Sequence, residues 1–245
     1  MIDILIPMAS KSIFFKEEEY YYPKVLFDIK GKTMIQHSIE NLSLIKKQKN
    51  FIFIIREEDV TKFHLDSILK LLAPESKTII VRKETKGIVC SALMAIDIFD
   101  REKELVISNV DQIIDYDIDK ILEDFRSRDL DAGVITFEEI HPRWSFVRHD
   151  ENGNIIEVSE KRPISKDAIA GFFYFKNGQT FIDAAFKYLK RGQDIDGKFY
   201  LAPVLNELVL ENRKIGSYKI PNEKYFTFYS PKKIKEFEER KCPDD

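Results

Sequence analysis

Asp111 is the residue whose type and position most clearly indicate chemistry. It follows an apolar run, Leu105, Val106 and Ile107, that is long enough for a buried strand and too short for a helix. Open α/β sheets bind ligands in the crevice beyond the carboxyl ends of their strands. A carboxylate there can hold a divalent cation against phosphate oxygens, and Asn109 is expected to contact a nucleotide at the same edge. The alternative is that Asp111 only caps the turn that follows.

Two lysines could neutralise phosphate oxygens near such a cation. Lys24 follows Pro23, which fixes its approach, and Lys161 lies before Arg162 and Pro163 at a predicted strand end. Phosphoryl or nucleotidyl transfer requires positive charge of this kind, because it neutralises the phosphate oxygens while the leaving group departs. Each lysine taken alone also fits a solvated surface position, since the chain is rich in lysine.

Four further residues could form pockets for a base and for a second substrate. Glu160 could accept hydrogen bonds from the hydroxyls of a sugar or polyol, or it could pair with Arg162. Gly171 lies within an apolar strand, which often marks the close approach of a ligand or of another backbone. Trp144 could wall an acceptor pocket or belong to the core. Gly87 opens a predicted helix and leaves room for a flat base, although a glycine there can also be purely structural.

The loop after the first predicted strand could contact phosphate. Residues 2–8 form an apolar run that ends in Ala9, Ser10, Lys11 and Ser12. A strand followed by small residues presents backbone N–H groups to phosphate in many α/β proteins. The loop has no glycine, so it matches a Gly-rich phosphate loop only in part. We predict that these four residues bind the nucleotide.

Apolar periodicity predicts the elements that position these residues. In the first half, strands and helices alternate four times, with predicted strands at 2–8, 51–55, 77–81 and 105–107 and predicted helices at 34–44, 60–72, 87–99 and 119–128. In the second half, strand-like segments at 132–137, 145–149, 155–159 and 168–175 precede helices at 179–190 and 201–210. Such alternation indicates a parallel sheet with helices on both faces. The predicted fold class is α/β, a Rossmann-like, mostly parallel sheet flanked by helices with an antiparallel insert in the second half.

The whole chain, 1–245, is expected to form one domain. Residues of about 1–130 would bind the nucleotide and those of about 131–245 the acceptor. A net charge of -3 argues against a general nucleic-acid binder, which would usually be basic. No apolar run reaches the roughly 18 residues that a membrane span needs, and no signal peptide is predicted. Two cysteines and four scattered histidines argue against a disulfide framework or a zinc site. We therefore expect a cytoplasmic location and allow for a homo-oligomer.

The chain resembles the sugar-phosphate nucleotidyltransferases, the nucleoside-diphosphate-sugar pyrophosphorylases of GT-A-like fold. Seven segments match in family order: IPMAS, PKVLFDIKGKTMI, TKGIVCSAL, ISNVDQII, EVSEKRP, AIAGFFYF and KFYLAPVLNELV. The resemblance implies that the chain uses an NTP and Mg²⁺ to convert a phosphorylated sugar or polyol into a nucleotide-activated donor and pyrophosphate. It also implies a role in surface polysaccharide synthesis.

The resemblance also implies roles for individual residues. Asp111 would bind magnesium, and Gly87 would face the base. Lys24 would meet the nucleotide phosphates, and Lys161 would hold the sugar phosphate. In the acceptor pocket, Glu160 would bind the sugar hydroxyls and Gly171 would line the wall.

Two segments depart from the family pattern. The family's first loop is Gly-rich and ends with a catalytic arginine, whereas here the arginine position falls near Phe14. The C-terminal segment, which in many members supplies a second metal-binding aspartate, reads YFTFYS and has none. Lys11 or Lys16 could replace the arginine's charge but not its bidentate fork.

The altered first loop favours a second hypothesis, a nucleotide-sugar or sugar-phosphate binding protein that kept the fold and lost turnover. A third hypothesis is a GT-A glycosyltransferase, which would need a metal-binding Asp-x-Asp pair. Asp115-Tyr116-Asp117 has that spacing.

Overall fold

The computed structural model describes residues 1–11, 14–15 and 20–240. Ser12 and Lys16, two candidate phosphate-binding residues, lie outside the described residues. The strands are β1 (Ile2–Pro7), β2 (Asp28–Ile29), β3 (Lys32–Thr33), β4 (Lys49–Arg56), β5 (Lys77–Val81), β6 (Glu104–Ser108), β7 (Gln112–Ile114), β8 (Ala132–Glu138), β9 (Ser145–His149), β10 (Ile155–Glu160), β11 (Asp167–Phe175), β12 (Ile215–Lys219) and β13 (Tyr225–Thr227).

Eight α-helices are found among the described residues. They are α1 (Met34–Ser43), α2 (Glu57–Phe63), α3 (Leu65–Leu72), α4 (Ile88–Leu93), α5 (Ile118–Ser127), α6 (Gly178–Arg191), α7 (Val204–Leu210) and α8 (Pro231–Glu238). Short 3-10 helices cover Lys24–Leu26 and Asn222–Lys224. No helix in these described ranges combines the length and the apolar character that crossing a membrane requires.

One mixed sheet runs through both halves of the chain. Over the described residues it contains nine strands, in the order β10-β9-β11-β6-β1-β4-β5, with β8 joined to β11 and β12 joined to β8. Strands β6, β1, β4 and β5 are parallel neighbours, as the alternation of strand and helix predicts. The second half adds β11 antiparallel to β6 and the hairpin of β9 and β10. The predicted fold class is therefore confirmed.

Both faces of this sheet are buried. In β1 the side chains of Ile4 and Ile6 point into one core and that of Leu5 into the other, as the alternation of a strand requires. Helices α1, α3 and α5 cover the first face, and α4, α6 and α7 cover the second. Because the helices occupy the faces, the ends of the strands are where a ligand can approach the sheet.

The helix predicted over 60–72 is wrong as a single element. The structure divides it into α2 and α3 at His64, whose φ of 52° lies in the left-handed region. Sequence periodicity continues across the break because both short helices turn apolar residues towards the sheet, with Leu65 and Leu69 fully buried. The short strand β7, directly after Asp111, was not predicted. It pairs with β13 and brings the C-terminal segment alongside the end of β6.

Candidate active site

A large cavity opens at the carboxyl ends of β1, β4 and β6. Its volume is about 930 Å³, and it lies between the first loop, the segment around Lys24, the start of α2 and the end of β6. Ser10, Lys11, Lys24, Asn109 and Asp111 all line it. Because parallel strands end at one edge of the sheet, residues that are far apart in sequence meet here.

A second cavity of about 250 Å³ continues from the first towards the second half of the chain. Trp144, Glu160 and Gly171 line this cavity, which we call the acceptor cavity after the role predicted for these residues. Asn109 and Asp111 line both cavities. The structure therefore brings most of the predicted nucleotide-side and acceptor-side residues to one continuous crevice, with Asp111 at the junction.

Asp111 is held at the junction by Lys24. The Nζ of Lys24 donates to Oδ2 of Asp111 in an ion pair in which both side chains are mostly buried, 17% and 22% exposed. Pro23 starts the 3-10 turn that aims Lys24, since its carbonyl accepts the N–H of Leu26. Asp111 therefore takes part in an ion pair across the crevice instead of only capping its own turn.

The donor set at Asp111 fits a magnesium ion that is shared with substrate phosphates. Within the described residues, Oδ1 of Asp111 accepts no hydrogen bond and remains able to coordinate a cation. The backbone N–H of Phe228 donates to the Asp111 carbonyl at 2.8 Å, which places Thr227 on the wall of the smaller cavity. No group of three or more His, Cys, Asp or Glu side chains in the described ranges is arranged to hold a metal. Magnesium commonly needs only one or two carboxylates besides water and phosphate.

Glu160 lies on the acceptor side and accepts a hydrogen bond from Oγ of Ser145. Burial raises the pKa of Glu160, with the Ser145 hydrogen bond and Lys161 opposing the rise. The alternative, an ion pair with Arg162, does not form, because Arg162 pairs with Glu157 at 3.2 Å. Glu160 is thus available to bind a hydroxyl.

Lys161 does not line either cavity. Its Nζ donates to the Tyr200 hydroxyl at 2.7 Å and contacts Asp196 at 3.3 Å. Tyr200, not Lys161, faces the acceptor cavity. The predicted contact of Lys161 with a sugar phosphate stays a prediction. In this arrangement its ammonium holds the Tyr200 hydroxyl, and Tyr200 forms part of the wall of the acceptor cavity.

The two predicted glycines are both required by close packing. Gly171 has φ +53°, and a Cβ built there would lie 2.4 Å from Nδ2 of Asn109. A Cβ at Gly87, φ +108°, would lie 2.5 Å from the Phe199 carbonyl oxygen. Gly171 lines the acceptor cavity. Gly87 does not line the described cavities, and its predicted contact with a base stays a prediction.

Ala9 is buried in the core beneath the larger cavity and does not line it. Ser10 and Lys11, which follow it, do line the cavity. The predicted contact of Ala9 with a nucleotide would therefore have to come from its backbone. Trp144 is half-buried and meets Phe137 edge-on at 5.1 Å, so it belongs to the pocket wall and to the core beside it.

Three site residues were missed by the sequence analysis: Arg143, Tyr200 and Tyr229. Arg143 lies 3.0 Å above the centre of the Tyr229 ring, and both line the acceptor cavity. Arg143 precedes the candidate Trp144, and Tyr200 lies in the matched segment KFYLAP, so both were adjacent to recognised signals. Tyr229 lies in the C-terminal segment YFTFYS, which the sequence analysis noted only for its missing aspartate, and the pairing of β13 with β7 brings it near Asp111.

The Asp-x-Asp spacing at 115–117 does not form a metal pair. Asp115 pairs with Lys224 at 2.9 Å, and Asp117 accepts the backbone N–H of Lys120 as the N-cap of α5. Neither aspartate lines the two cavities. The feature that suggested a glycosyltransferase is therefore explained by ordinary structural contacts.

Several solved structures share this fold. A nucleoside-diphosphate-sugar pyrophosphorylase from Vibrio cholerae RC9 matches with a TM-score of 0.81 and 23% identity, over 97% of this chain and 100% of that chain. A UDP-glucose pyrophosphorylase complexed with UDP-glucose gives 0.77 at 16% identity, over 97% of both chains. A putative glucose-1-phosphate thymidylyltransferase from Bacillus anthracis gives 0.76 at 17% identity, over 97% of this chain and 94% of that one.

Sequence comparison finds related proteins as well. The bifunctional protein GlmU of Lactobacillus helveticus (strain DPC 4571) is 26% identical over 231 residues, which cover 89% of this chain and 47% of that protein. GlmU of Streptococcus equi subsp. zooepidemicus is 23% identical over 207 residues, 80% of this chain and 42% of that protein. The chain thus spans about half the length of these curated relatives. A family model described as nucleotidyl transferase matches residues 20–207, most of the chain, and the chain therefore belongs to the nucleotidyl transferase family.

Proposed function

We propose that the chain is a sugar-phosphate nucleotidyltransferase. It would convert an NTP and a phosphorylated sugar or polyol into a nucleotide-activated donor and pyrophosphate. The observation that carries the proposal is the meeting of two cavities at Asp111, one of about 930 Å³ and one of about 250 Å³. The larger cavity has room for a nucleotide, and the smaller one suits a compact acceptor.

The reaction is a displacement at the α-phosphorus of the NTP. An oxygen of the acceptor phosphate forms a new P–O bond, the bond from the α-phosphorus to the bridging oxygen breaks, and pyrophosphate leaves with that oxygen. Charge spreads over the phosphate oxygens in the transition state, so catalysis consists mostly of positioning and electrostatic stabilisation. Lys24, on the wall of the larger cavity, supplies positive charge at the junction, and Lys11 supplies it at the first loop.

Magnesium, held by Asp111 with Thr227 nearby, would supply further charge stabilisation at the transferring phosphate. Glu160 would orient the acceptor through its hydroxyls, because its carboxylate faces the smaller cavity beside Ser145. Tyr200 and Trp144 would exclude water from the acceptor side. The proposal includes a cytoplasmic enzyme whose product feeds surface polysaccharide synthesis.

The test is a panel of NTPs against phosphorylated sugars and polyols, with pyrophosphate release as the readout. We expect release with at least one pair in the presence of Mg²⁺. Asp111→Asn should lower the rate at least about 100-fold and remain folded, because loss of one preorganised charge interaction has effects of this size. Asp115→Asn is the matched control, since Asp115 follows β7 and pairs with Lys224 outside the cavities.

Retention of wild-type rates by Asp111→Asn would show that the metal assignment is wrong. The same panel tests the second candidate, a binding protein without turnover. The altered first loop favours that candidate, since it offers Lys11 and, near the family's arginine position, Phe14. Calorimetric binding of a nucleotide sugar or sugar phosphate, with no pyrophosphate release across the panel, would reject the enzyme and support the binding protein.

A further inference from the structure

Arg143 occupies an unusual position in the acceptor cavity. It lies in the loop between β8 and β9, where its backbone N–H donates to Nδ1 of His141 at 3.2 Å. Its guanidinium carbon lies 3.0 Å from the centre of the Tyr229 ring, 5.3 Å from that of Trp144 and 5.6 Å from that of Phe14. The guanidinium is therefore held among three aromatic rings.

This guanidinium lacks a carboxylate partner. Within the described residues no Asp or Glu oxygen lies within 4.0 Å of it, although most other arginines of the chain form ion pairs. Burial lowers the pKa of Arg143, while Tyr229 and the more distant Asp111 carboxylate oppose this shift. Charged groups in such surroundings normally have a counter-ion or a ligand. The arrangement leaves the planar donor fork available to an anion.

Arg143 stands on the acceptor side of the junction. It lines the smaller cavity together with Asp111 and Glu160, and it does not line the larger one. Lys161, to which the family resemblance gives the acceptor phosphate, instead bonds to Tyr200 and Asp196. Arg143 is thus the cation that lines the acceptor cavity, as judged over the described ranges of the chain.

We propose that Arg143 binds the phosphate of the acceptor substrate. This rests on the proposed function, because the phosphate is the group whose oxygen attacks the α-phosphorus. Two anions must approach each other for that P–O bond to form, and a bidentate guanidinium reduces their repulsion while fixing the angle of attack. Phe14, near the family's arginine position, packs against Tyr229 at 5.6 Å and so helps to hold the ring that supports Arg143.

The single tryptophan of the chain gives a test that does not depend on turnover. Trp144 carries the Arg143 guanidinium over its ring, so an anion that binds Arg143 should change the tryptophan fluorescence. We expect a saturable change when the wild-type protein is titrated with inorganic phosphate. Arg143→Gln should raise the half-saturating concentration by about 10- to 100-fold, since hydrogen bonds to charged groups have effects of this size. Arg143→Lys keeps the charge and loses the bidentate fork, so its half-saturating phosphate concentration should lie between those of the wild type and Arg143→Gln.

The matched control is Arg148→Gln. Arg148 lies on β9 near the same loop but pairs with Glu157 on the outside of the hairpin. This variant should show the wild-type phosphate titration. Urea unfolding of Arg143→Gln and Arg143→Lys establishes whether each variant is folded. If Arg143→Gln does not fold, the phosphate titration of Arg143→Lys alone is compared with that of the wild type.

Steady-state kinetics separate this inference from the proposed function. With an active substrate pair, Arg143→Gln should raise the acceptor KM at least about tenfold while the NTP KM changes little. An unchanged acceptor KM in Arg143→Gln, or a rise only in Lys161→Gln, would overturn the role of Arg143 and leave the enzyme assignment intact. If no pair releases pyrophosphate, the proposed function fails, and the fluorescence titration alone decides whether Arg143 binds phosphate.

Discussion

Gly171→Ala should lower activity far more than stability. Gly171 lies in β11 with φ +53°, a conformation that costs an alanine about 1–2 kcal/mol. Its new Cβ would lie 2.4 Å from Nδ2 of Asn109 and 2.7 Å from Oε1 of Gln112, where ordinary contact begins at 3.4 Å. Gln112 is fixed by the Tyr225 hydroxyl at 3.0 Å and by its own bond to the Gly171 carbonyl, also at 3.0 Å. Because these two bonds hold Gln112, the Asn109 side chain has to move.

The displacement of Asn109 amounts to about 1 Å, and shifts of that size can cost about 100-fold in rate. Asn109 lines both cavities beside Asp111, so the shift reaches the proposed site of reaction directly. We expect kcat/KM for pyrophosphate release to fall about 100-fold, while the free energy of unfolding measured in urea falls by only about 1–3 kcal/mol.

Gly153→Ala is the matched control. Gly153 has φ +79°, and no atom lies within 4 Å of the position that a Cβ would take there, so the change has a similar backbone cost and displaces nothing. It should lose comparable stability and keep its activity. Equal activity of the two alanine variants would refute the inference that the glycine in β11 sets the position of Asn109.

Three further predictions concern charged residues of the same chain. Lys11→Ala should raise the NTP KM several-fold in the pyrophosphate assay, because Lys11 lines the nucleotide cavity; an unchanged NTP KM would exclude Lys11 from phosphate binding. Burial opposes ionisation of Glu104, but hydrogen bonds from Arg126 and Lys47 hold its pKa below the usual range. Such a carboxylate contributes stability above its unfolded pKa, so Glu104→Gln should lose about 1.5–3 kcal/mol near pH 7, and urea titrations should show the deficit shrinking as the pH falls through the Glu104 pKa. Burial raises the pKa of Glu160, so its ionised form destabilises the fold at higher pH. Glu160→Gln should therefore be more stable than the wild type to urea at pH 8 but not at pH 4, and it should lose acceptor binding. A variant that is less stable than the wild type at pH 8 would contradict this sign.

The sequence by itself determined the alternating elements and the strand-end position of Asp111. Both follow from local patterns, because a buried parallel strand reads as an apolar run and an amphipathic helix as a repeat of 3.6 residues. The same local patterns marked Lys24, Glu160 and Gly171 as candidates, and the family segments gave each of them an expected role. The break at His64 was invisible, because Val60 in α2 and Leu65 and Leu69 in α3 pack against the same core on either side of it.

Only the tertiary structure decided which of these residues meet. The ion pair of Lys24 with Asp111 spans 87 positions, and the approach of Tyr229 to Arg143 depends on the pairing of β13 with β7. Lys161 carries the family motif, yet its ammonium turns to Tyr200. Side-chain direction at a strand end depends on neighbours from distant strands and loops, which no local pattern encodes. The positions of charge in the acceptor cavity are therefore a property of the folded chain.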